Sequence, residues 1–316
     1  MTKHLRAKKK KEKDNNGLTP EKSPRSDFNW FPGHMTKALR KIKEKVKIVD
    51  IILELRDARS PIVTSNKAFV DLIGNKPKLI VLNKMDLADP KIVKLWQNWF
   101  KEQNQPFLFV NGLDRKSISK IVELSRGIIQ NNRVKSNQDL KEKPLPKKTL
   151  KMMIIGLPNT GKSTIINKLA NRNASKAADK PGQTQQQIWI NVNKDLKILD
   201  TPGVIPPVIE TDEQLLWLSA LHAIPERVLN IEETACYVIN HLLKFNPSSL
   251  SSLYKYPEDN YDLLSTLEKI AQVRGCIKKG NQYDYERVYK LFIHDFRAGK
   301  LGQISFGEPP IDNLKD

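Results

Sequence analysis

The chain has 316 residues, 39% hydrophobic and 28% charged, enough for one large domain or two ordinary ones with packed cores. No apolar run approaches the roughly 18–20 residues of a membrane span. The lysine-rich N-terminus is no secretory signal, and two cysteines, Cys236 and Cys276, exclude a disulfide scaffold or a cysteine-rich zinc module, so the reading is a soluble intracellular protein. A formal net charge of +19 favours a polyanionic partner. Lys and Arg outnumber Asp and Glu by 42 to 19 over residues 1–205, and trail them 12 to 16 over residues 206–316. Within the second part, residues 263–303 form a local exception with eight basic and four acidic residues.

Residues 1–28 carry a lysine run from Lys8 to Lys13 and no apolar periodicity, which predicts a disordered basic arm. Order is expected from Trp30-Phe31-Pro32-Gly33-His34. A helix from about Thr36 sets Leu39, Ile42 and Val46 against a lysine-rich face. Ile48–Leu55, Leu79–Leu82 and Phe107–Val110 read as strands, with helices near 91–101 and 117–130 between and after them. Residues 131–149, polar and lysine-rich with Pro144 and Pro146, read as a linker. Strand pattern resumes at 151–155, a helix follows from Lys162, and 188–192 with 196–199 look like a strand pair. From about Glu213 the pattern turns helical, with segments near 213–223, 230–244, 261–274 and 284–298. Alternating strands and helices imply an α/β fold with a mostly parallel sheet covered on both faces. An all-α C-terminal domain follows it. The expected division is an arm at 1–28, a sheet domain at 29–208 and a helical domain at 209–316.

Gly156-Leu157-Pro158-Asn159-Thr160-Gly161-Lys162-Ser163 fits the phosphate-binding pattern G-x-x-x-x-G-K-S/T, between a hydrophobic strand and a helix. Such a loop curls backbone N–H groups around phosphate oxygens at a helix N-terminus. Asn159 through Thr164 form the expected phosphate cradle, with Lys162 on the β and γ phosphates and the Ser163 hydroxyl on Mg²⁺. Asp200-Thr201-Pro202-Gly203 follows a strand end, where the Asp holds the Mg²⁺ shell and the Gly203 amide reaches the γ-phosphate. Asn83-Lys84-Met85-Asp86 sits at another strand end. The Asp86 carboxylate can accept from guanine N1–H and the N2 amino group, which adenine does not offer, so GTP is favoured over ATP. Asn83 would contact the purine N7 and brace the loop, and the Lys84 stem would cover the base. The order is unusual, because Asp86 precedes Gly156. Loops at the carboxyl ends of parallel strands still converge on one ligand if the sheet is cut elsewhere, which predicts a circularly permuted P-loop GTPase.

The permuted order, together with Phe31-Pro32-Gly33-His34-Met35, Asp57-Ala58-Arg59-Ser60-Pro61 and Pro181-Gly182-Gln183-Thr184, resembles the YlqF-type circularly permuted GTPases from about Trp30 to near the C-terminus. Arg274-Gly275-Cys276 resembles that family's helical C-terminal domain, whereas the arm at 1–28 departs from it. The resemblance implies GTP hydrolysis coupled to late maturation of the large ribosomal subunit, with that subunit and its rRNA as partners. It makes Thr184 a switch threonine on Mg²⁺. It makes Asn159 either a K⁺ ligand or a backbone brace, and places the second base-contact loop at Asn111-Gly112. Val204 stands where many GTPases place a water-orienting glutamine, so slow intrinsic turnover is expected. His34 is then the candidate catalytic group, and docking of the N-terminal segment or an rRNA contact is its alternative. Asp57 and Arg59 either brace the nucleotide site or form a local ion pair. Tyr283, Tyr285 and Tyr289 stack on RNA or pack a core.

The leading expectation is a ribosome-stimulated GTPase, monomeric off the ribosome, without a membrane partner, in the bacterial cytoplasm; mitochondrion or plastid is the alternative. The basic arm, the helix from Thr36 and the helical tail would supply the rRNA contacts. A competing function is a GTP-dependent protein-binding switch with no RNA partner. A GTPase of tRNA modification is a third, but no accompanying nucleotide-chemistry or redox motif is present.

Overall fold

The computed structural model describes residues 33–136, 149–171, 187–226, 228–255 and 262–310. The expected arm at 1–28, the stretch from Trp30 to Pro32, the middle of the expected linker and Thr184 lie outside the described residues, as does the side chain of His34. The chain runs α1 (Gly33–Val46), β1 (Ile51–Asp57), α2 (Ala68–Ile73), β2 (Lys78–Asn83), α3 (Pro90–Glu102), β3 (Phe107–Phe109), α4 (Arg115–Ser136), β4 (Leu150–Gly156), α5 (Lys162–Leu169), β5 (Ile188–Asn193) and β6 (Leu196–Asp200). The helices α6 (Asp212–Ala220), α7 (Ile231–Phe245), α8 (Pro247–Tyr254), α9 (Leu263–Arg274) and α10 (Tyr285–Arg297) follow. A hairpin of β7 (Ile277–Lys278) and β8 (Gln282–Tyr283) interrupts the last two.

The main sheet has the order β3-β2-β1-β4-β6-β5, parallel except for β5. Its strands are near-continuous Ile/Leu/Val/Met runs because both faces are covered. Ile51, Leu53, Leu55, Met152 and Ile154 bury one face under α4 and α5; Ile52, Met153, Ile155 and Leu199 bury the other under α1, α2 and α6. Each such side chain contributes about 1.5–3 kcal/mol on full burial. The chain winds outward from β1 through β2 to β3, then returns to the centre and winds the other way from β4. The switch point therefore lies between β1 and β4, where a doubly wound sheet opens its ligand crevice. Ladder register brings Asp57 beside Asn83, Leu55 beside Gly156 and Ile154 beside Asp200, so the motif-bearing strand ends share one edge.

Two expectations need correction, and two short helices have no counterpart in the sequence pattern. β1 begins at Ile51 rather than Ile48, because Ile48 is exposed in the connection after α1 and the strand instead continues to Asp57. Residues 131–136 belong to helix α4 rather than to a linker; Ile118, Ile121, Ser125 and Ile129 keep one face buried, and the helix propagates into its polar end. The short helices α2 and α8 carried too little periodicity to be foreseen. Farther on, α7 to α10 bury Ile239, Leu242, Tyr254, Ile270, Val288 and Phe292 in a second core. Helix α6 serves both cores: Leu215 and Leu218 pack on the sheet side, Trp217 on the helical side.

Candidate nucleotide-binding site

A cavity of about 730 Å³ opens over the switch point. Its walls carry Asn83, Lys84, Asp86, Asn111, Gly112, Asn159, Gly161, Lys162, Ser163, Thr164 and Gly203. Residues separated by more than a hundred positions along the chain thus meet at one place. Thr160 is buried behind that wall, its Oγ1 donating to Leu157 O at 2.9 Å. Asp200 ends β6 and does not itself line the cavity, although its charge reaches Lys162, which does.

At the phosphate end the loop is tightly self-braced. Lys162 Nζ donates to Gly156 O at 3.1 Å and Leu157 O at 2.6 Å, which aims the ammonium along the loop. Burial lowers its pKa to about 8, against the attraction of Asp200. Burial likewise raises Asp200, opposed by Lys162, and Asp200 Oδ1 is buried without a hydrogen-bond partner. A buried, unpartnered carboxylate oxygen facing a lysine is a donor that suits a hard divalent cation. Gly161 must be glycine: its φ is +96°, and a Cβ there would run into the Asn83 side-chain amide, which Thr160 O holds in place. Gly203 passes so close that a Cβ would sit 2.6 Å from Pro158 N. Beside it Val204 is fully buried, its amide donating to Gly156 O at 3.2 Å, so this side chain cannot reach a water in the cavity.

The base end is built by bracing between segments. Asn83 Nδ2 donates to Thr160 O at 2.9 Å, tying the two motifs together, and Asn83 Oδ1 is buried without a partner. Lys84 adopts a left-handed φ of 62°, and a 3-10 turn at Met85–Leu87 then presents Asp86 at the surface. Lys84 Nζ meets Asp57 Oδ2 at 3.0 Å, while Arg59 holds Asp57 through Nε at 2.9 Å and Nη2 at 2.8 Å. Burial would raise the Asp57 carboxyl, but the Arg59 and Lys84 charges overcome it and hold it well below the ordinary carboxylate range. The pair is therefore not purely local: Asp57, held by Arg59, also anchors the ammonium end of Lys84. Asn111 caps its own loop, accepting from the Leu113 amide at 2.8 Å, and Gly112 backs onto the Asn83 side chain.

Sequence reasoning missed the third wall. Leu221, His222, Glu226, Lys290, His294 and Arg297 also line the cavity. Asn159 Nδ2 donates to His222 O at 2.8 Å. Arg297 donates through Nε to Ala220 O at 3.1 Å and through Nη2 to Ser219 O at 2.9 Å, satisfying the carbonyls at the end of α6. Its Nη1 meets Glu226 at 2.7 Å. The only available signal was the spacing of Lys290, His294 and Arg297 at i, i+4 and i+7 on one helix face.

Tyr289 is buried in the helical core and Tyr285 is half-buried against it, which favours packing; Tyr283 accepts from Gln272 at 2.7 Å. Among the described residues no His/Cys/Asp/Glu group has a metal-binding cluster geometry, and no helix is long and apolar enough to cross a membrane.

Comparison with known proteins places these observations. Residues 151–273 match the family model of the 50S ribosome-binding GTPases. The chain is 36% identical over 282 residues to ribosome biogenesis GTPase A of Bacillus pumilus, covering 89% of this chain and 99% of that one. It is 33% identical over 286 residues to ribosome biogenesis GTPase A of Thermotoga maritima, covering 89% of this chain and 95% of the relative. The solved structure of GNP-bound YlqF from T. maritima superimposes with a TM-score of 0.60 at 28% identity, over 86% of this chain and 98% of that one.

Proposed function

This chain belongs to the ribosome biogenesis GTPase A family, and from that premise we propose that it binds rRNA on precursors of the large ribosomal subunit while it holds GTP, and leaves late in their maturation after hydrolysis. The coarser statement needs no proposal: it is a circularly permuted GTPase acting in ribosome biogenesis, with GTP as substrate. The observation that carries the finer reading is the shared wall of the nucleotide cavity, where α10 and the end of α6 stand beside the phosphate loop. A change at the phosphates therefore meets the helical region directly. On this reading residues 29–208 form the GTPase unit and 209–316 the helical unit, with α6 as the common element.

In this site Lys162 would meet the β and γ phosphates, and the loop amides from Asn159 to Thr164 with that of Gly203 would surround them. Ser163 and Asp200 would hold Mg²⁺, joined by Thr184; the unpartnered Asp200 Oδ1 supports that role. The ion supplies positive charge against the triphosphate. Asp86 would read the purine edge, with Asn83, Lys84, Asn111 and Gly112 around the base. Asn159 already braces His222 O through Nδ2; its Oδ1 is the atom a K⁺ ion would take, and faster turnover in K⁺ than in Na⁺ tests that assignment. Because Val204 is buried away from the cavity, the water-orienting group comes from elsewhere, and His34 at the start of α1 is assigned that part. A His34→Ala variant that keeps GTP affinity should lose ribosome-stimulated turnover.

For rRNA, α1 is the stronger surface. Lys37, Arg40, Lys41, Lys43, Lys45 and Lys47 are all exposed over a buried Met35, Ala38, Ile42 and Val46 face. On α1 one of these, Arg40, pairs with Glu44, whereas in the basic stretch 263–303 five, Arg274, Lys278, Lys290, Arg297 and Lys300, are already paired with carboxylates. The acidic balance of residues 206–316 is what favours the second reading, a protein-binding switch without RNA. Sedimentation of a lysate with a non-hydrolysable GTP analogue decides between them. Co-migration with large-subunit precursors, weakening with salt, supports the proposal; absence from every ribosomal fraction supports the switch. The assignments to the bacterial cytoplasm and to a monomer off the ribosome belong to the same proposal, and fractionation and light scattering test them.

A further inference from the structure

After α10 the chain turns back and runs between the helical core and the loop that follows β2. Leu301, Ile304 and Phe306 are buried on the helical side, with the Phe306 ring stacked on Trp217 at 3.7 Å between centroids. The polar groups of the same stretch face the loop that carries Asp86. Gln303 Nε2 donates to Asp86 O at 3.2 Å, the Ile304 amide donates to Leu87 O at 2.9 Å, and the Asp89 amide donates to Ser305 Oγ at 3.0 Å. Farther along, the Phe306 amide donates to Arg59 O at 2.7 Å and Trp96 Nε1 to Gly307 O at 3.3 Å. Arg59 grips Asp57, and Asp57 grips Lys84, so the tail reaches the base loop from both of its ends.

A carboxylate that must meet two donors on a purine edge needs placement to about 0.5 Å. Asp86 is exposed, on a three-residue turn that follows a left-handed residue, and burial of its own side chain does not fix it. Hydrogen bonds to the turn's backbone hold it instead, and two of these come from Gln303 and Ile304, with Ser305 bonding the Asp89 amide just beyond the turn. We propose that the segment Gln303–Gly307 is part of the guanine site, its residues acting as positioning residues that hold Asp86 in register with the base. This rests on the reading of Asp86 as the guanine-recognising carboxylate. By linkage, any contact that lifts the segment off the base loop loosens guanine nucleotides by the same factor with which they hold it down.

The test compares GDP with inosine diphosphate, whose base keeps N1–H but lacks the N2 amino group, by calorimetry on the full chain. In the double variant Gln303→Ala/Ser305→Ala, GDP affinity should fall about tenfold, the worth of one to two hydrogen bonds. Inosine diphosphate affinity should fall less, so the ratio between the two nucleotides narrows. Ser305→Thr in place of Ser305→Ala, which keeps the hydroxyl, should restore part of that ratio. Unchanged affinities, or an equal fall for both nucleotides, overturn the proposal. A wild-type protein that takes inosine diphosphate as tightly as GDP overturns instead the assignment of Asp86 on which it rests.

Discussion

The two ends of the nucleotide groove are built on different plans. The phosphate end is built mostly from one stretch of chain: Gly156 to Ser163 folds on itself, Lys162 bonds the carbonyls of Gly156 and Leu157, Asp200 arrives from the neighbouring strand, and Asn83 and His222 brace the loop from outside. The base end is a meeting of four segments: Asp57 and Arg59 after β1, Asn83 to Asp86 after β2, Asn111-Gly112 after β3, and the C-terminal stretch near Ser305. A self-contained loop can be moved to a new place in the chain order with its geometry intact, which is what a permuted GTPase requires. A composite end depends on the whole molecule, and so gives the helical region a second route to nucleotide affinity, besides its contact with the phosphate loop through His222.

Breaking the composite end should cost the fold itself. Asp57→Ala leaves Arg59 buried and Lys84 half-buried without their shared anion, at a cost of about 3–5 kcal/mol in denaturant unfolding. The pH dependence has the same origin. The folded-state pKa of Asp57 lies below its unfolded value, so its contribution is present above the ordinary carboxylate range and is lost as pH falls through that range toward the folded value. The wild type should therefore lose more stability on acidification than Asp57→Ala does.

Damage at the self-contained end should touch chemistry and spare base choice. Lys162→Ala should lower single-turnover GTP hydrolysis by about 10²–10³-fold, the scale of one charge-stabilising donor, with the preference for GDP over inosine diphosphate retained. A loss of base preference in this variant would mean that the two ends are not separate.

A smaller effect comes from titration. With a pKa of about 8 in the nucleotide-free protein, Lys162 sheds its proton as pH rises, whereas bound phosphates favour the ammonium. Nucleotide affinity should fall about tenfold between roughly pH 7 and pH 9, equally for GDP and inosine diphosphate, with proton uptake on binding. The facing group is Asp200, whose carboxyl is pushed up by burial and held down by Lys162; a rising affinity over the same interval would contradict the assignment.

The sequence made the phosphate end and the sheet legible because both rest on local rules. Buried strands read as apolar runs, G-x-x-x-x-G-K-S fixes a loop, and the placement of Asp86 ahead of Gly156 marks the permutation in the sequence itself. The stem that holds Lys84 was only half legible: Asp57 and Arg59 stood out as a motif, but their role depends on a contact across the sheet. Helix α4 runs past its expected end because a helix held by buried Ile118, Ile121 and Ile129 propagates into residues 131–136, whose polar composition carries no helical periodicity. The tail was illegible for a different reason. Its key bonds to Leu87 and Arg59 use backbone amides that any residue except proline possesses, so no side-chain pattern could announce them. His222 is similar, contributing a carbonyl to Asn159. Backbone-mediated contacts between distant segments are the part of a site that a single sequence conceals.

Base recognition by Asp86 is the claim on which the composite end depends. Calorimetry of Asp86→Asn with GDP and xanthosine diphosphate tests it, because the carboxamide nitrogen would now face the guanine N2 amino group donor to donor, while it can donate to the xanthine O2. GDP affinity should fall about a thousandfold, the worth of two charge-assisted hydrogen bonds, and xanthosine diphosphate should become the preferred ligand. GDP binding that survives the substitution unchanged would contradict the account.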